Sequence, residues 1–485
     1  MGKMINRFNN IDSKEWLPYQ KSWFKFSSDE ELYRKSIRFF MKFDSEDMNR
    51  NFFFWGSEKQ EGLVKNIAQE EAAIFKGRSN LEKLDHIQFA IIDLRGMMDK
   101  IKDVESWLKL KDEILDIAFL LKYKLYHRRF LSIIIPNYQS ENQYFPFAWD
   151  LAKTLSHTYS LKDEKIACLE ISDSSKVQNH FHTDGQVFYQ FFFRSDEKSA
   201  DSKRKIHYPY FDNQEQLEFH HKGHFPSWFI LKPKARKRKE ILHPSKFPEE
   251  LADLFLNTFS KEKDVILDPM CGSGSTIVSS ILNNRNAFGI ELSEFFSKIA
   301  DERCHREFHG ELDLFEEPIE RKNIYRIHNK DIREVTKAEI PLVDYLFSSP
   351  PNWNILNMKG AENQTKRIKK GLMVNYSDPE SDVGRRDLGN IEDYHEFIEE
   401  LSDIYIEILD LMRAGAVLTI IVKNIKKQGS NYPFAWDIAE KLMAKTILLP
   451  ESFWLQDDIS IAPFGYGNTF VSNTFHQYCL SFMKR

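Results

Sequence analysis

The sequence predicts an α/β protein whose main body is a mostly parallel, doubly wound sheet, preceded by a degenerate, duplicated half-domain of the same fold. Three observations carry that expectation. Val265-Ile-Leu-Asp-Pro-Met-Cys-Gly-Ser-Gly-Ser-Thr276 is an apolar strand opening onto a glycine turn and a helix start. Ala287-Phe-Gly-Ile-Glu-Leu292 is a second strand that ends in an acid about 20 residues past the turn, the spacing of a strand–helix–strand unit. Residues 131–155 align without a gap to 418–442 at an offset of 287, with eleven of 25 positions identical, including Pro-Phe-Ala-Trp-Asp.

Each element has a physical reading. Gly272 and Gly274 lack a Cβ, so the turn can take positive φ and a ligand can approach the backbone closely. Such a turn suits a nucleoside, with Glu291 placed to reach ribose hydroxyls. The next strand, Val343-Asp-Tyr-Leu-Phe347, ends in Ser348-Ser-Pro-Pro-Asn-Trp353. Two consecutive prolines lack N–H and have restricted φ, so Ser349 Oγ and the Pro350 carbonyl can face one point. Ser349, Pro350, Pro351, Asn352 and Trp353 form this corner, and the family resemblance given next implies that they are the catalytic residues, with acceptors that pull a conjugated aryl amine toward tetrahedral geometry.

Together these motifs resemble the amino-directed (N4-cytosine/N6-adenine) S-adenosylmethionine-dependent DNA methyltransferases, over roughly residues 240–485. The resemblance implies a Rossmann-like methyltransferase sheet with S-adenosyl-L-methionine as cofactor. Leu242-His-Pro-Ser-Lys-Phe-Pro248 is similar to the family segment that folds over the methionine end of the cofactor, which implicates Lys246 and Pro248. The turn itself contributes Asp268, Pro269, Cys271, Gly272, Ser273, Gly274 and Thr276, with Cys271 as a packing thiol. Glu291 and Leu292 follow on the second strand. Asp331 resembles the third-strand acid near the adenine, although acids also commonly make turns after strands. One departure stands out: the family aromatic that stacks on an extrahelical base is Asn352 here. Either Trp353 clamps the base, or Asn352 bonds its edge while another aromatic stacks, or activity is lost and the cofactor pocket kept.

Composition bounds the rest. At 485 residues and 57.4 kDa the chain accommodates two domains with substantial cores. Four cysteines without paired spacing argue against a disulfide scaffold or a metal site and suit a reducing cytoplasm. No signal peptide or membrane-length apolar run is present in the sequence. The net charge is −5, so affinity for nucleic acid has to be local. Lys232-Pro-Lys-Ala-Arg-Lys-Arg-Lys239, with Lys237 and Arg238, is read either as a solvated linker or as a phosphate contact. Lys366, Arg367, Lys369 and Lys370 follow the Ser-Pro-Pro corner and point to phosphates more directly.

The expected organisation is a degenerate copy over 1–225 that keeps the later strands and serves as scaffold and DNA contact, with the segment 1–60 Phe-rich and irregular. A basic linker over 226–240 and a catalytic domain over 241–485 follow. Within the latter, 354–390 is a long polar insertion assigned to target recognition. In the first copy Phe89-Ala-Ile-Ile-Asp-Leu-Arg-Gly96 stands where the Ser-Pro-Pro corner belongs. The expected function is site-specific methylation of an exocyclic amine on a flipped base of double-stranded DNA, cytosine N4 favoured over adenine N6, within a restriction-modification or phage-defence system. Its partners would be DNA, defence-system subunits and a second copy of the chain, with no membrane. The alternatives are an RNA methyltransferase, which Ser349 argues against, and an inactive cofactor-binding DNA module.

Overall fold

The computed structural model describes residues 9–43, 46, 48–139, 144–170, 181–183, 186–194, 208, 210, 226–231, 247–310, 321–353, 381–427, 429–457, 470 and 472–485. Two sheets account for almost all of its strands. The first is built from β1 (Trp23–Phe26), β2 (Asn51–Trp55), β3 (Ile74–Lys76), β4 (Ile87–Asp93), β5 (Leu125–Ile135), β6 (Ser160–Leu169) and β7 (Val187–Arg194), in the order β1-β6-β7-β5-β4-β2-β3. The second contains β8 (Trp228–Leu231), β9 (Val265–Asp268), β10 (Asn286–Glu291), β11 (Tyr325–Asn329), β12 (Val343–Ser348), β13 (Met412–Val422), β16 (Ser452–Leu455) and β17 (His476–Lys484), in the order β11-β10-β9-β12-β13-β17-β16-β8. Between β13 and β16 a small antiparallel hairpin is formed by β14 (Ile425–Lys427) and β15 (Ser430–Tyr432).

These are Rossmann-like sheets, with parallel central strands and one antiparallel strand, β7 or β17, wedged between two others. The central strands read as continuous apolar runs because both faces are covered: every residue of β4 is buried. The covering helices of the first unit are α1 (Asp29–Phe40), α2 (Glu58–Glu70), α3 (Val104–Lys124) and α4 (Phe147–Leu155). In the second unit they are α5 (Glu249–Phe259), α6 (Ser275–Leu282), α7 (Glu294–His309), α8 (Tyr394–Ile408) and α9 (Phe434–Leu442). No helix among the described residues is long and apolar enough to cross a membrane.

The duplication runs beyond the segment 131–155 in which the sequence shows it. Trp23 pairs with Ile166 in β1/β6, and Trp228 pairs with Phe453 in β8/β16; Ile166 and Phe453 are themselves 287 apart. Ile91 pairs with Ser132 and Phe347 with Thr419, again 287 apart on the partner strand. Every strand of the first sheet thus has a counterpart in the second, and β11 alone among the eight labelled strands of the second lacks one. The first unit is accordingly fuller than a half-domain, because β2-α2-β3 occupies the place of β9-α6-β10. The sequence hides this: Phe54-Trp55-Gly56-Ser57 carries none of the glycine turn's signals, although a Ser57/Gln60 capping box starts α2 cleanly.

Two further expectations change. The described part of the Phe-rich segment 1–60 is ordered around α1, where Phe40 stacks on Phe89 and Phe192 with centroids 4.9 and 4.6 Å away; it covers the outer face of the first sheet. The expected linker is partly a strand, since Trp228–Leu231 is β8. Lys237 and Arg238 lie outside the described residues.

The two units meet through a pseudo-two-fold. Asn137 Nδ2 and Tyr189 Oη of the first unit donate to Glu451 Oε1 at 2.8 and 2.9 Å, and Trp149 Nε1 donates to Tyr189 at 2.8 Å. Reciprocally, Asn424 Nδ2 donates to Glu164 at 2.7 Å, Tyr478 bonds the same carboxylate, and Trp436 Nε1 donates to Tyr478 at 3.0 Å. Asn137/Asn424, Trp149/Trp436 and Glu164/Glu451 are each 287 apart. On the axis, Lys153 of α4 bonds Asp437 at 2.7 Å and also Glu440 of α9, and 153 and 440 are the same position in the two copies. Lys153→Glu sets like charges together at a site where the lysine is only 13% exposed. It should lower unfolding free energy by about 3 to 5 kcal/mol in a denaturant titration; an unchanged midpoint would mean that the axial pair contributes nothing.

Candidate active site

The site lies where the strand order reverses, between β9 and β12, outside their carboxyl ends. β9 ends in Asp268, which is buried and accepts from Thr276 Oγ1 at 2.5 Å and from the Met270 amide at 3.2 Å. These bonds bend the chain into the turn. Gly272 and Gly274 then take φ of 51° and 80°, the left-handed region that glycine enters without strain. A Cβ on Gly274 would stand 3.0 Å from that of Ala300 in α7, so the turn also sets the helix against the sheet. Cys271 packs: its Sγ would be 2.9 Å from a Cβ on Gly289, and burial pushes its thiol pKa well up.

Glu291 ties the second strand to the turn, accepting from the amides of Gly272 and Ser293 at 2.8 Å each. Burial raises its carboxyl to about 7 despite those bonds, and burial likewise raises Asp268 to about 6. Asp331 caps the turn after β11 and faces two guanidiniums, Arg333 at 2.8 Å and Arg386 at 3.0 Å. Burial works against its charge, but the hydrogen bonds and fields of those arginines hold its pKa below the ordinary value.

Turn and corner open onto one cleft with about 710 Å³ of space continuous with solvent. Pro269, Met270, Gly272, Glu291, Leu292, Asp331, Ser349 and Pro351 all line it, so part of each candidate set comes together, while Pro350, Asn352 and Trp353 are not among the lining residues. Asp268, Cys271, Ser273, Gly274 and Thr276 frame the turn from behind and are not among the lining residues. Pro248 is the N-cap residue of α5; Phe247 beside it packs on Phe347 at 5.2 Å. Lys246, Lys366, Arg367, Lys369 and Lys370 lie outside the described residues.

At the corner, Ser349 Oγ donates to the Ile421 carbonyl at 3.4 Å. Trp353 corrects an expectation, because it is only 3% exposed and no ring face is free for a base. Lys427 Nζ sits 3.9 Å from its centroid, Tyr432 and Tyr394 lie at 4.7 and 5.1 Å, and its Nε1 donates to the Glu392 carbonyl at 3.2 Å. The role of clamp is closed to it in this arrangement.

The sequence reading missed the opposite wall. Residues 381–390, placed in the recognition insertion, fold as a short helix (Asp382–Arg386) and a turn whose Val383, Arg386, Asp387 and Leu388 line the cleft. A Cβ on Gly389 would lie 3.5 Å from Pro351 Cβ, which seats this segment on the serine–proline corner. Capping residues Ser381 and Asp387, each bonding an amide two or three residues on, were the available signal.

In the first unit the corresponding corner is sealed. Strand register places Asp93 where Ser349 stands. Asp93 is fully buried, accepting from Tyr33 Oη and Arg95 Nη2 at 2.7 Å each, while Arg95 Nη1 also bonds Asp29 at 2.7 Å.

Residues 94–302 match the family model described as DNA methylase. Over that span the chain is similar to the amino-directed DNA methyltransferase family. The span that matches this family begins just after Asp93 and ends within α7, so it joins the later strands of the first unit to the glycine turn of the second and leaves the Ser349 corner outside. Orphan methyltransferase M.BamHII of Bacillus amyloliquefaciens is 44% identical over 61 residues, 13% of this chain and 23% of its own. Type II methyltransferase M.HpaI of Haemophilus parainfluenzae is 34% identical over 79 residues, 16% of this chain and 25% of its own. The aligned span is thus about a quarter of the length of these curated relatives. Among solved structures, TrmN from Thermus thermophilus aligns at 13% identity and a TM-score of 0.31, over 51% of this chain and 52% of its own.

Two outcomes follow from the turn. Gly274→Ala should cost about 1–2 kcal/mol of stability in denaturant, because any side chain there is strained and meets Ala300; an unperturbed variant would mean that the turn is free to relax. Glu291 favours its proton in the folded chain, so its contribution to stability is complete below the unfolded carboxyl value of 4.5 and is lost as pH rises through about 7. Glu291→Gln should therefore flatten the decline of the thermal midpoint across that window, and a slope identical to that of the unmodified chain would contradict burial as the cause.

Proposed function

We propose that this chain transfers a methyl group from S-adenosyl-L-methionine to an exocyclic amine of a flipped base in double-stranded DNA. Cytosine N4 is favoured over adenine N6 because serine precedes the prolines. The role that fits is the modification arm of a restriction or phage-defence system in the cytoplasm. The carrying observation is the convergence of glycine turn, Glu291 and Ser349 corner on one cleft.

The residues suit the cofactor. Gly272 offers backbone that a ligand can approach, and the Glu291 oxygens, each accepting one amide, keep lone pairs for ribose hydroxyls. Met270, Leu292, Ile332, Val383, Leu388 and Ile404 supply apolar walls for a purine. When bound, the cofactor would supply an electrophilic methyl. The chain supplies position: Ser349 turns its O–H to Ile421, which leaves its oxygen lone pairs, with the Pro350 carbonyl, to accept from the target amine. The nitrogen lone pair would thereby be freed for the N–C bond that replaces the donor's C–S bond, leaving a neutral thioether, and the amine's proton passes to water in the solvent-open cleft. Alignment of the two reactants accounts for much of the rate.

A second reading, a cofactor-binding DNA module without turnover, is favoured by Asn352 in the aromatic position and by the burial of Trp353. Purified chain incubated with methyl-labelled cofactor and DNA or RNA separates the readings. Label in DNA supports transfer, label in RNA alone redirects it, and cofactor binding with no transfer supports the module. For the transferase, Ser349→Ala should lower kcat by about 100-fold and leave cofactor affinity intact; undiminished turnover would remove Ser349 from the chemistry.

A further inference from the structure

Three consecutive residues of β6, in the first unit, reach across to the hairpin beside the second unit's corner. Lys162 Nζ donates to the Gly429 carbonyl at 3.3 Å. Asp163 bonds Lys426 Nζ and also accepts from the Ser472 amide at 3.0 Å and from Ser472 Oγ at 2.8 Å. Glu164 accepts from Asn424. Asp163 is 2% exposed, and although burial works against its charge, Lys165 and Lys426 hold its pKa down at about 2. On its other side the same hairpin carries Lys427 and Tyr432, which pack on Trp353, two residues past Pro351.

The grip is one-sided. The offset of 287 maps Lys162 and Asp163 onto Leu449 and Pro450, and Lys426 and Lys427 onto Gln139 and Ser140. The carboxylates Glu164 and Glu451 and their asparagine donors Asn424 and Asn137 are shared by both copies. The added ionic contacts therefore serve the half that carries Ser349-Pro350-Pro351, and the sequence supplies no equivalent charges at the matching positions of the first copy.

We propose that Lys162 and Asp163 are positioning residues through which the first unit sets the hairpin 425–432, and with it Trp353 and the catalytic corner, for the second. The catalytic consequence rests on the methyltransferase reading above; the mechanical one does not. Asp163→Asn leaves Lys426 in a partly buried site without its counter-charge and loosens one face of the packing around Trp353.

The test uses the full chain, with Asp163→Asn, Lys426→Met and their double variant. Hydrogen exchange is followed at the amides of 425–432, Asn352 and Trp353, with 270–276 as the internal reference. The expected result is faster exchange at hairpin and corner with the glycine turn unchanged. In parallel kcat should fall about 3- to 30-fold at constant KM for the cofactor, and the double variant should be no worse than the poorer single. Unchanged exchange at the hairpin in a folded variant overturns the proposal, as does a loss of thermal stability spread evenly over the chain. Should Asp163→Asn fail to fold, Lys162→Met removes a single bond at the hairpin tip and is read in the same way. A wild-type chain that transfers no methyl would sink the functional reading while exchange still decides the positioning.

Discussion

Each half of this molecule buries a carboxylate that the other half satisfies. Glu451 is 7% exposed and Glu164 2%, and each takes hydrogen bonds from an asparagine and a tyrosine across the pseudo-axis. Left without those donors in an apolar surrounding, a carboxylate costs several kcal/mol, and burial already raises Glu451 to about 7. Separation of the two units would strand both groups together with the aromatic rings around them. The sheets, and everything mounted on their ends, are held in one relation by that mutual requirement.

The candidate site inherits its geometry from this arrangement. Asn424 lies two residues past the carboxyl end of β13, which runs beside β12, the strand that ends at the serine–proline corner. A donor that must reach Glu164 therefore constrains the strand against which Ser349 rests. On the opposite side, the bonds of Glu291 to the glycine turn and of Asp331 to Arg333 and Arg386 draw the other walls inward. Electrostatics and packing thus agree on one cleft, with the Ser349 corner open to it.

Much of this was legible in the sequence where local rules dominate. The glycine turn, the acid on the next strand and the proline corner each encode their own backbone, so Gly272, Glu291 and Ser349 were found by pattern and meet in space. The duplication was visible at 131–155 because its strand and helix are buried in both copies, which restrains their residues. What stayed hidden depends on distant partners. β2-α2-β3 keeps its path without a glycine turn because capping and phenylalanine packing suffice. Trp353 looked available until Tyr394, Lys427 and Tyr432, all from elements far along the chain, closed around it. Residues 381–390 read as loop since their order comes from salt links to Asp331 and contact with Pro351 rather than from periodicity.

The axial position shared by Lys153 and Glu440 carries a further meaning. Wherever identical subunits meet on a dyad, a residue there confronts its own kind, so a charge on the axis repels itself. Joining both halves in one polypeptide lifts that restriction and lets opposite signs occupy the two equivalents. A pairing of either half with its own duplicate would oppose lysine to lysine or glutamate to glutamate, which makes the contact a lock that recognises only its complement.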